Sequence, residues 1–383
     1  MLRSVVVPAD SAFERAASHI HWMAAGSVHC RAYKATHSYL EGEQGHQNQR
    51  SKLFPLARAD EPRDREAGLW HPGFERCHSS DHSLVVARGS GCGSDVWIDT
   101  LAAQPHFYCQ PRRQLTYFNV GANKGYNIAI LLQRLAGANF TSQQWASAMT
   151  PYFREKKITH MHHQQNLCGL CRVCTRAVRR IADDVQLDVH AFEMTKQNSD
   201  WLEWAFKRFA VNATLVHAVV SNVSGVVAAP AVVRTGEEAL SASLTHRRGW
   251  VPIRAIALDD YVAEAGLNRV DIVSIDTEGF DALVLEGMRA SLSARIVHVF
   301  EFEYHRSSYW SADHPESRSL KSTLSWLTEL GYGCFWTGAD GCLAPASGLC
   351  WRDEFEIRIW SNLVCAHGWH LMQLRAEASK CWA

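Results

Sequence analysis

The chain has 383 residues, 47% hydrophobic and 20% charged, which is enough apolar side chain for one large core or two smaller ones and excludes disorder throughout. Lys plus Arg equals Asp plus Glu at 39 each, so no overall field draws the protein to nucleic acid or to an anionic membrane. No window approaches the roughly 18 consecutive apolar residues of a membrane span.

The N-terminal M-L-R-S-V-V-V-P-A-D has too short an apolar run for a signal h-region. With no signal peptide visible, the twelve cysteines read mostly as thiols or ligands and the location leans to the cytoplasm. Asn139, Asn212 and Asn222 open N-x-[ST] sequons, which matter only in a secreted protein. Residues 1–65 are polar and show no sustained apolar period, which predicts a poorly ordered arm. Across 66–114, scattered Trp70, Phe74, Val85, Val86, Val96, Trp97 and Ile98 suggest accessory edge strands.

Leu115 to Val120 is a short apolar run ending at glycine, and Ile128, Leu131, Leu132 and Leu135 then recur at helical spacing. The pattern is strand, glycine turn, helix. Gly121 and Gly125 bracket a loop with little side-chain bulk, which lets backbone N–H groups approach a nucleotide-like cofactor. The spacing is G-x-x-x-G and not G-x-G-x-x-G, so a nicotinamide or flavin loses its main support. A glycine turn that merely joins a strand to its helix fits the loop equally well.

An insert at about 138–187 follows this first helix and contains H-M-H-H-Q-Q-N-L-C-G-L-C-R-V-C-T-R. The spacing of Cys168, Cys171 and Cys174 lets two or three thiolates meet one tetrahedral structural zinc, with His163 or a distant cysteine completing the set, although reduced cysteines in a loop need no ligand. The next strand, Leu187 to Phe192, ends at Glu193, roughly 70 residues past Gly121 where about 20 is usual. Glu193 stands where nucleotide-binding sheets place a carboxylate for ribose hydroxyls, or else it is a capping acid.

A helix at Ser199–Phe209 and strands at Thr214–Val220 and Val251–Ala255 continue the alternation of an α/β sheet. Asp259 then reads as the cap of a helix beginning at Leu258. Val270 to Leu292 is the second informative stretch. A buried strand at Ile272–Ile275 delivers Asp276 at its carboxyl end, Glu278-Gly279 follows, and both acids point to the crevice of the glycine loop unless they only cap the next helix. Arg295–Phe302 reads as a strand, Ser317–Leu330 as an amphipathic helix, and Tyr332–Trp336 and Glu356–Ile359 as further strands, with 366–383 a C-terminal tail. His305, near a strand end, is a reserve candidate base, although a lone histidine is more often a satisfied structural residue.

G-A-N-K-G-Y at 121–126, A-F-E at 191–193, L-D-D-Y at 258–261 and I-D-T-E-G-F-D-A-L-V-L-E-G at 275–287 together resemble the FkbM-type methyltransferases, in order and in spacing apart from the insert. W-S-N-L-V-C at 360–365 is similar to eukaryotic members, and the resemblance spans about 115–365. It implies a class I methyltransferase Rossmann-like α/β fold with a mostly parallel, doubly wound sheet. It also implies S-adenosylmethionine as cofactor and O-methylation of a hydroxyl on a small molecule or glycan. Asn119, Gly121, Asn123, Gly125 and Glu193 would hold the cofactor, while Asp276 and Glu278 would face the methyl group and the acceptor. Two positions depart from the pattern: Asn119 stands where an acid is common, and Ser274 replaces the frequent lysine before I-D-x-E-G. The rival expectation is a non-catalytic protein that binds a ligand or partner on the same fold.

Overall fold

The computed structural model describes residues 95, 97–102, 114–157, 178–182, 185–230, 250–305, 308–312, 314, 317–338 and 341–381. In chain order these hold helix α1 (Trp97–Ala102), strand β1 (Gln114–Val120), helices α2 (Tyr126–Leu135), α3 (Ser142–Ser147) and α4 (Met149–Glu155), then β2 (Gln186–Glu193), α5 (Lys196–Arg208), β3 (Ala213–His217), β4 (Val219–Val220), β5 (Gly225–Pro230) and β6 (Trp250–Ile256). There follow α6 (Leu258–Glu264), β7 (Val270–Ile275), α7 (Asp281–Glu286), α8 (Arg289–Ser293), β8 (Val297–Tyr304), α9 (Leu320–Glu329), β9 (Gly333–Thr337), β10 (Leu343–Pro345), β11 (Ser361–Ala366) and α10 (Gly368–Cys381).

Eight strands form one sheet in the order β10-β9-β11-β8-β7-β1-β2-β3, and β4-β6-β5 form a smaller one. From β3 across to β8 every pair is parallel, whereas β11 runs antiparallel between β8 and β9. A parallel strand covered on both faces has no polar side to show, and V-D-I-V-S-I of β7 is buried at all of its positions. Chain order runs outward from β1 through β2 to β3 and, on the other side, from β7 to β8. The switch point therefore lies between β1 and β7, where open α/β sheets bind ligands beyond the strands' carboxyl ends.

Alternation along each strand divides the residues between the two faces. Phe118, Val120, Phe192, Val273, Phe300 and Phe302 enter one core with Tyr261 of α6, Val284 of α7 and Leu324 of α9. Around α3 and α5 a second aromatic set forms, in which Trp145 lies edge-on to Trp201 and stacks on Phe209. The start of the inserted segment is thus structural: Trp145 and Trp201 are each fully buried, and truncating such a side chain to alanine costs about 3–5 kcal/mol.

Several expectations are corrected. Trp97 and Ile98 lie in helix α1, not in an edge strand, where Asp95 and Asp99 bind the Arg134 guanidinium of α2. Residues 353–357 form a 3-10 turn, and the strand expected at Glu356–Ile359 is β11 instead. Glu356 is drawn out of any ladder because its carboxylate accepts from Tyr304 Oη, Ser319 Oγ and the Lys321 amide. The tail is helix α10, and Leu371 packs so closely on Gly333 that a Cβ there would lie 2.4 Å from its Cδ1. Cys334 and Cys365 form a disulfide between paired strands β9 and β11, and Cys342 and Cys350 are also disulfide-bonded, so the reading of most cysteines as thiols or ligands fails for these four. Cys168, Cys171, Cys174 and His163 lie outside the described residues. No described helix is long and apolar enough to cross a membrane.

Candidate functional site

The glycine loop leaves β1 at Val120 and is fastened on three sides. Gly121 N and Ala122 N both donate to Phe192 O at 3.0 and 2.9 Å, and Gly125 N donates to Ala122 O at 2.7 Å. Asn123 N donates to Glu193 Oε2 at 2.7 Å. Beneath the loop, Lys124 O accepts the indole N–H of Trp145 at 2.8 Å and of Trp201 at 3.0 Å. Four of the five amides from 121 to 125 are thereby engaged inside the protein, which narrows what the loop's N–H groups can offer a ligand.

The two glycines are needed for fit more than for ligand access. Both have φ +76°; a Cβ on Gly121 would lie 1.8 Å from Asp276 O, and one on Gly125 would lie 2.7 Å from Leu202 Cδ2 and 3.0 Å from Trp145 Cζ2. Gly121 thus lets the loop cross directly over the end of β7, where Asp276 N donates to Val120 O at 3.0 Å. Loop, Glu193 and Asp276 thus meet at the carboxyl ends of β1, β2 and β7.

Glu193 is 4% exposed at the end of β2. Its Oε1 accepts from Thr195 N and Thr195 Oγ1, both at 2.7 Å. Asn198 also hydrogen-bonds Glu193 and donates its Nδ2 to Asn123 Oδ1 at 3.2 Å. Burial pushes the carboxyl upward in pKa, against these hydrogen bonds. Asn119 is 1% exposed. Its Oδ1, Asn198 Oδ1 and Thr277 Oγ1 are buried atoms with no hydrogen-bond partner among the described residues, and orphaned polar atoms of this kind cost free energy that an incoming donor recovers.

In the sheet, Ser274 of β7 lies in register between Asn119 of β1 and Glu301 of β8. Burial and the Asp95 charge push the Glu301 carboxyl up to about 8, although Trp97 and Asn362 hydrogen-bond it. A neutral carboxylic acid avoids the cost of an uncompensated buried charge.

On the β7–β8 side, Asp276 is exposed while Glu278 is half-buried at φ +57°, a left-handed conformation that non-glycine residues adopt at a cost of roughly 1–3 kcal/mol. Asp281, fully buried, accepts from Gly279 N and Glu303 N at 3.2 Å each and so ties the loop to β8. Burial and the Glu303 charge push its carboxyl upward. The nearest ligand-binding atoms of Glu278, Glu303 and His305 lie within 4.8 Å of one another. Burial alone would lower the His305 pKa, but the hydrogen bond and charge of Glu303 outweigh it and raise the imidazole. Glu303 was not singled out from sequence; parallel pairing of β7 with β8 is what carries it to Glu278, and E-x-H at a strand end was the only available signal.

Other motif residues prove structural. Asp259 does not cap its own helix; its carboxylate accepts from Ala290 N, Ser291 N and Ser291 Oγ at 2.6–2.8 Å and so caps α8. Glu286 pairs with Arg318 at 2.5 Å, and a Cβ on Gly287 would lie 2.1 Å from Ser221 O.

The fold is an α/β domain whose switch point carries the glycine loop with Glu193 on one side and the carboxylates of Asp276, Glu278 and Glu303 on the other. The methyltransferase FkbM domain matches residues 119–334, more than half of the 383 residues. The chain belongs to the FkbM methyltransferase family. No curated protein matches it. A solved structure described as a co-crystal structure of WbdD and the kinase inhibitor LY294002 aligns over 78% of this chain and 44% of that chain, at 10% identity and a TM-score of 0.28, and this likeness carries no argument.

Proposed function

We propose that this protein transfers the methyl group of S-adenosylmethionine to a hydroxyl oxygen of a small molecule or glycan, on a class I methyltransferase fold. The observation that supports this best is the 2.7 Å bond from Asn123 N to Glu193 Oε2, which fixes the glycine loop against the acid at the end of β2, one strand from Asp276. The residues fit the cofactor. Asn119 Oδ1 and Asn198 Oδ1, buried and without partners among the described residues, are acceptors suited to its ammonium and hydroxyl donors. Glu193 would offer its remaining carboxylate lone pairs to the ribose hydroxyls beside its internal hydrogen bonds, Gly121 and Gly125 would leave the loop without side-chain bulk, and Asp276 would supply negative charge that favours a cationic cofactor.

When bound, the cofactor supplies an already activated methyl group. The protein's share is to hold the acceptor oxygen in line, exclude water and take the hydroxyl proton. Asp276 and Glu278 are the carboxylates positioned to take it, and the charge they carry draws the cationic cofactor to this wall.

The filled hydrogen bonds of Glu193 favour a second reading, a non-catalytic protein that binds a ligand or partner on the same fold. Incubating the full chain and cell extract with isotope-labelled S-adenosylmethionine, followed by untargeted mass spectrometry, separates the two. A labelled methyl ether supports transfer; cofactor binding with no labelled product from any extract rejects it.

The disulfides argue for an oxidising compartment and against the cytoplasm. In such a compartment the exposed Asn139, Asn212 and Asn222 become glycan acceptors. Mass mapping of the protein from its native source, without reduction, tests both: free thiols at Cys334 and Cys365 would reject the assignment.

A further inference from the structure

The methyl-transfer reading uses Asp276 and Glu278 but leaves Glu303 and His305 unexplained, although both are only 8% exposed and stand at the carboxyl end of β8 beside the crevice. Glu278, Glu303 and His305 offer two carboxylate oxygens and one imidazole nitrogen from two neighbouring strand ends, all within 4.8 Å. His305 Nε2 and Glu303 Oε2 are 3.2 Å apart. Two adjacent ligands of an octahedral ion with bonds of about 2.1 Å sit about 3.0 Å apart and two opposite ones about 4.2 Å apart, so the 3.2 Å pair has the spacing of adjacent ligands, and a set within 4.8 Å needs only a small side-chain shift to close on a single cation.

The surroundings hold these donors in place, as outer groups do around metal ligands. The Trp360 indole N–H donates to Glu303 Oε1, which leaves Oε2 on the His305 side. Asp281 binds Gly279 N and Glu303 N, coupling the segment that carries Glu278 to the strand that carries the other two donors. A mixed set of two oxygens and one nitrogen suits a hard or borderline divalent ion and not the tetrahedral thiolate site expected in the insert.

We propose that Glu278, Glu303 and His305 bind a divalent cation of the Mn2+ or Mg2+ type at the carboxyl ends of β7 and β8. Its open positions take oxygens of the methyl acceptor, which identifies the acceptor class as one with a hydroxyl beside a second oxygen donor, such as a vicinal diol or a hydroxy acid. A hydroxyl on the cation is more acidic and is fixed in place. Glu278 then serves the ion, and Asp276 remains as the base. The role in catalysis rests on the methyl-transfer reading; the site itself does not.

The test therefore uses Mn2+ alone, without cofactor or acceptor, so that its failure leaves methyl transfer untouched. Mn2+ is chosen because thiolates compete for it poorly. The full chain is stripped with EDTA, dialysed and titrated by calorimetry. About one equivalent should bind with a Kd below about 0.1 mM. Glu303→Gln and His305→Gln should each weaken binding at least about tenfold, while Glu286→Gln, which removes the partner of Arg318, leaves it unchanged. Spin-echo spectroscopy of the wild-type complex should show a directly bound imidazole nitrogen, a readout that no misfolded variant can obscure. Absence of saturable binding, of that nitrogen coupling, or of any effect from both folded variants would overturn the site.

Discussion

The two walls of the crevice hold carboxylates in opposite ways. On the β1–β2 side, Glu193 is buried but surrounded by donors, from Asn123 N, Thr195 N, Thr195 Oγ1 and Asn198. On the β7–β8 side, Glu278, Glu303 and Asp281 all act on His305, and Asp276 stands exposed at the edge. One wall is a finished hydrogen-bond network that gives the loop its shape. The other concentrates negative charge that a cation, a sulfonium or a proton would relieve. The contrast teaches that equally prominent acids in a motif can have different surroundings: Glu193 is enclosed by donors and organises the loop, whereas Asp276 stands exposed beside it.

The contrast breaks most severely if the walls are pushed apart. Gly121→Ala places a Cβ 1.8 Å from Asp276 O at a φ of +76°, and should lower stability by about 3 kcal/mol or more; an unchanged midpoint in denaturant unfolding would show that loop and β7 are not in contact. Asp276→Asn should leave that midpoint nearly unchanged, since the side chain is exposed, while turnover falls by about a hundredfold or more, the scale of a lost base. Full turnover would reduce Asp276 to a structural role. Glu193→Ala, by contrast, should weaken cofactor binding by about 1.5–3 kcal/mol. Unchanged affinity in calorimetry would make Glu193 a purely internal brace.

A further effect lies away from both walls. Burial and the nearby His298 push the His367 pKa down from 6.5 to about 3. As the pH falls below 6.5 the unfolded chain takes this proton first, so stability is lost progressively toward pH 3. In His367→Asn the thermal midpoint should decline less steeply over that window. An identical slope would mean that other groups carry the acid limb.

Much of this was legible where local pattern and tertiary structure agree. The apolar run into Gly121, the helical spacing from Ile128 and the buried strand before Asp276 each announce themselves, and the switch point follows from their order. What escaped depends on contacts distant in sequence. Glu303 reaches Glu278 only through strand pairing, and Trp145 meets Lys124 O through a helix in the insert. Asp259 looked like the cap of its own helix because no sequence window shows that Ala290 and Ser291 will stand beside it. The strand expected at Glu356–Ile359 failed for a similar reason: its apolar members are real, but Glu356 is claimed by Tyr304, Ser319 and Lys321.

Calorimetry with S-adenosylmethionine, its demethylated thioether product and NAD tests the central claim most directly. The account predicts saturable binding of the sulfonium and the thioether and none of NAD. Heat of binding from NAD with none from either sulfur ligand would contradict it.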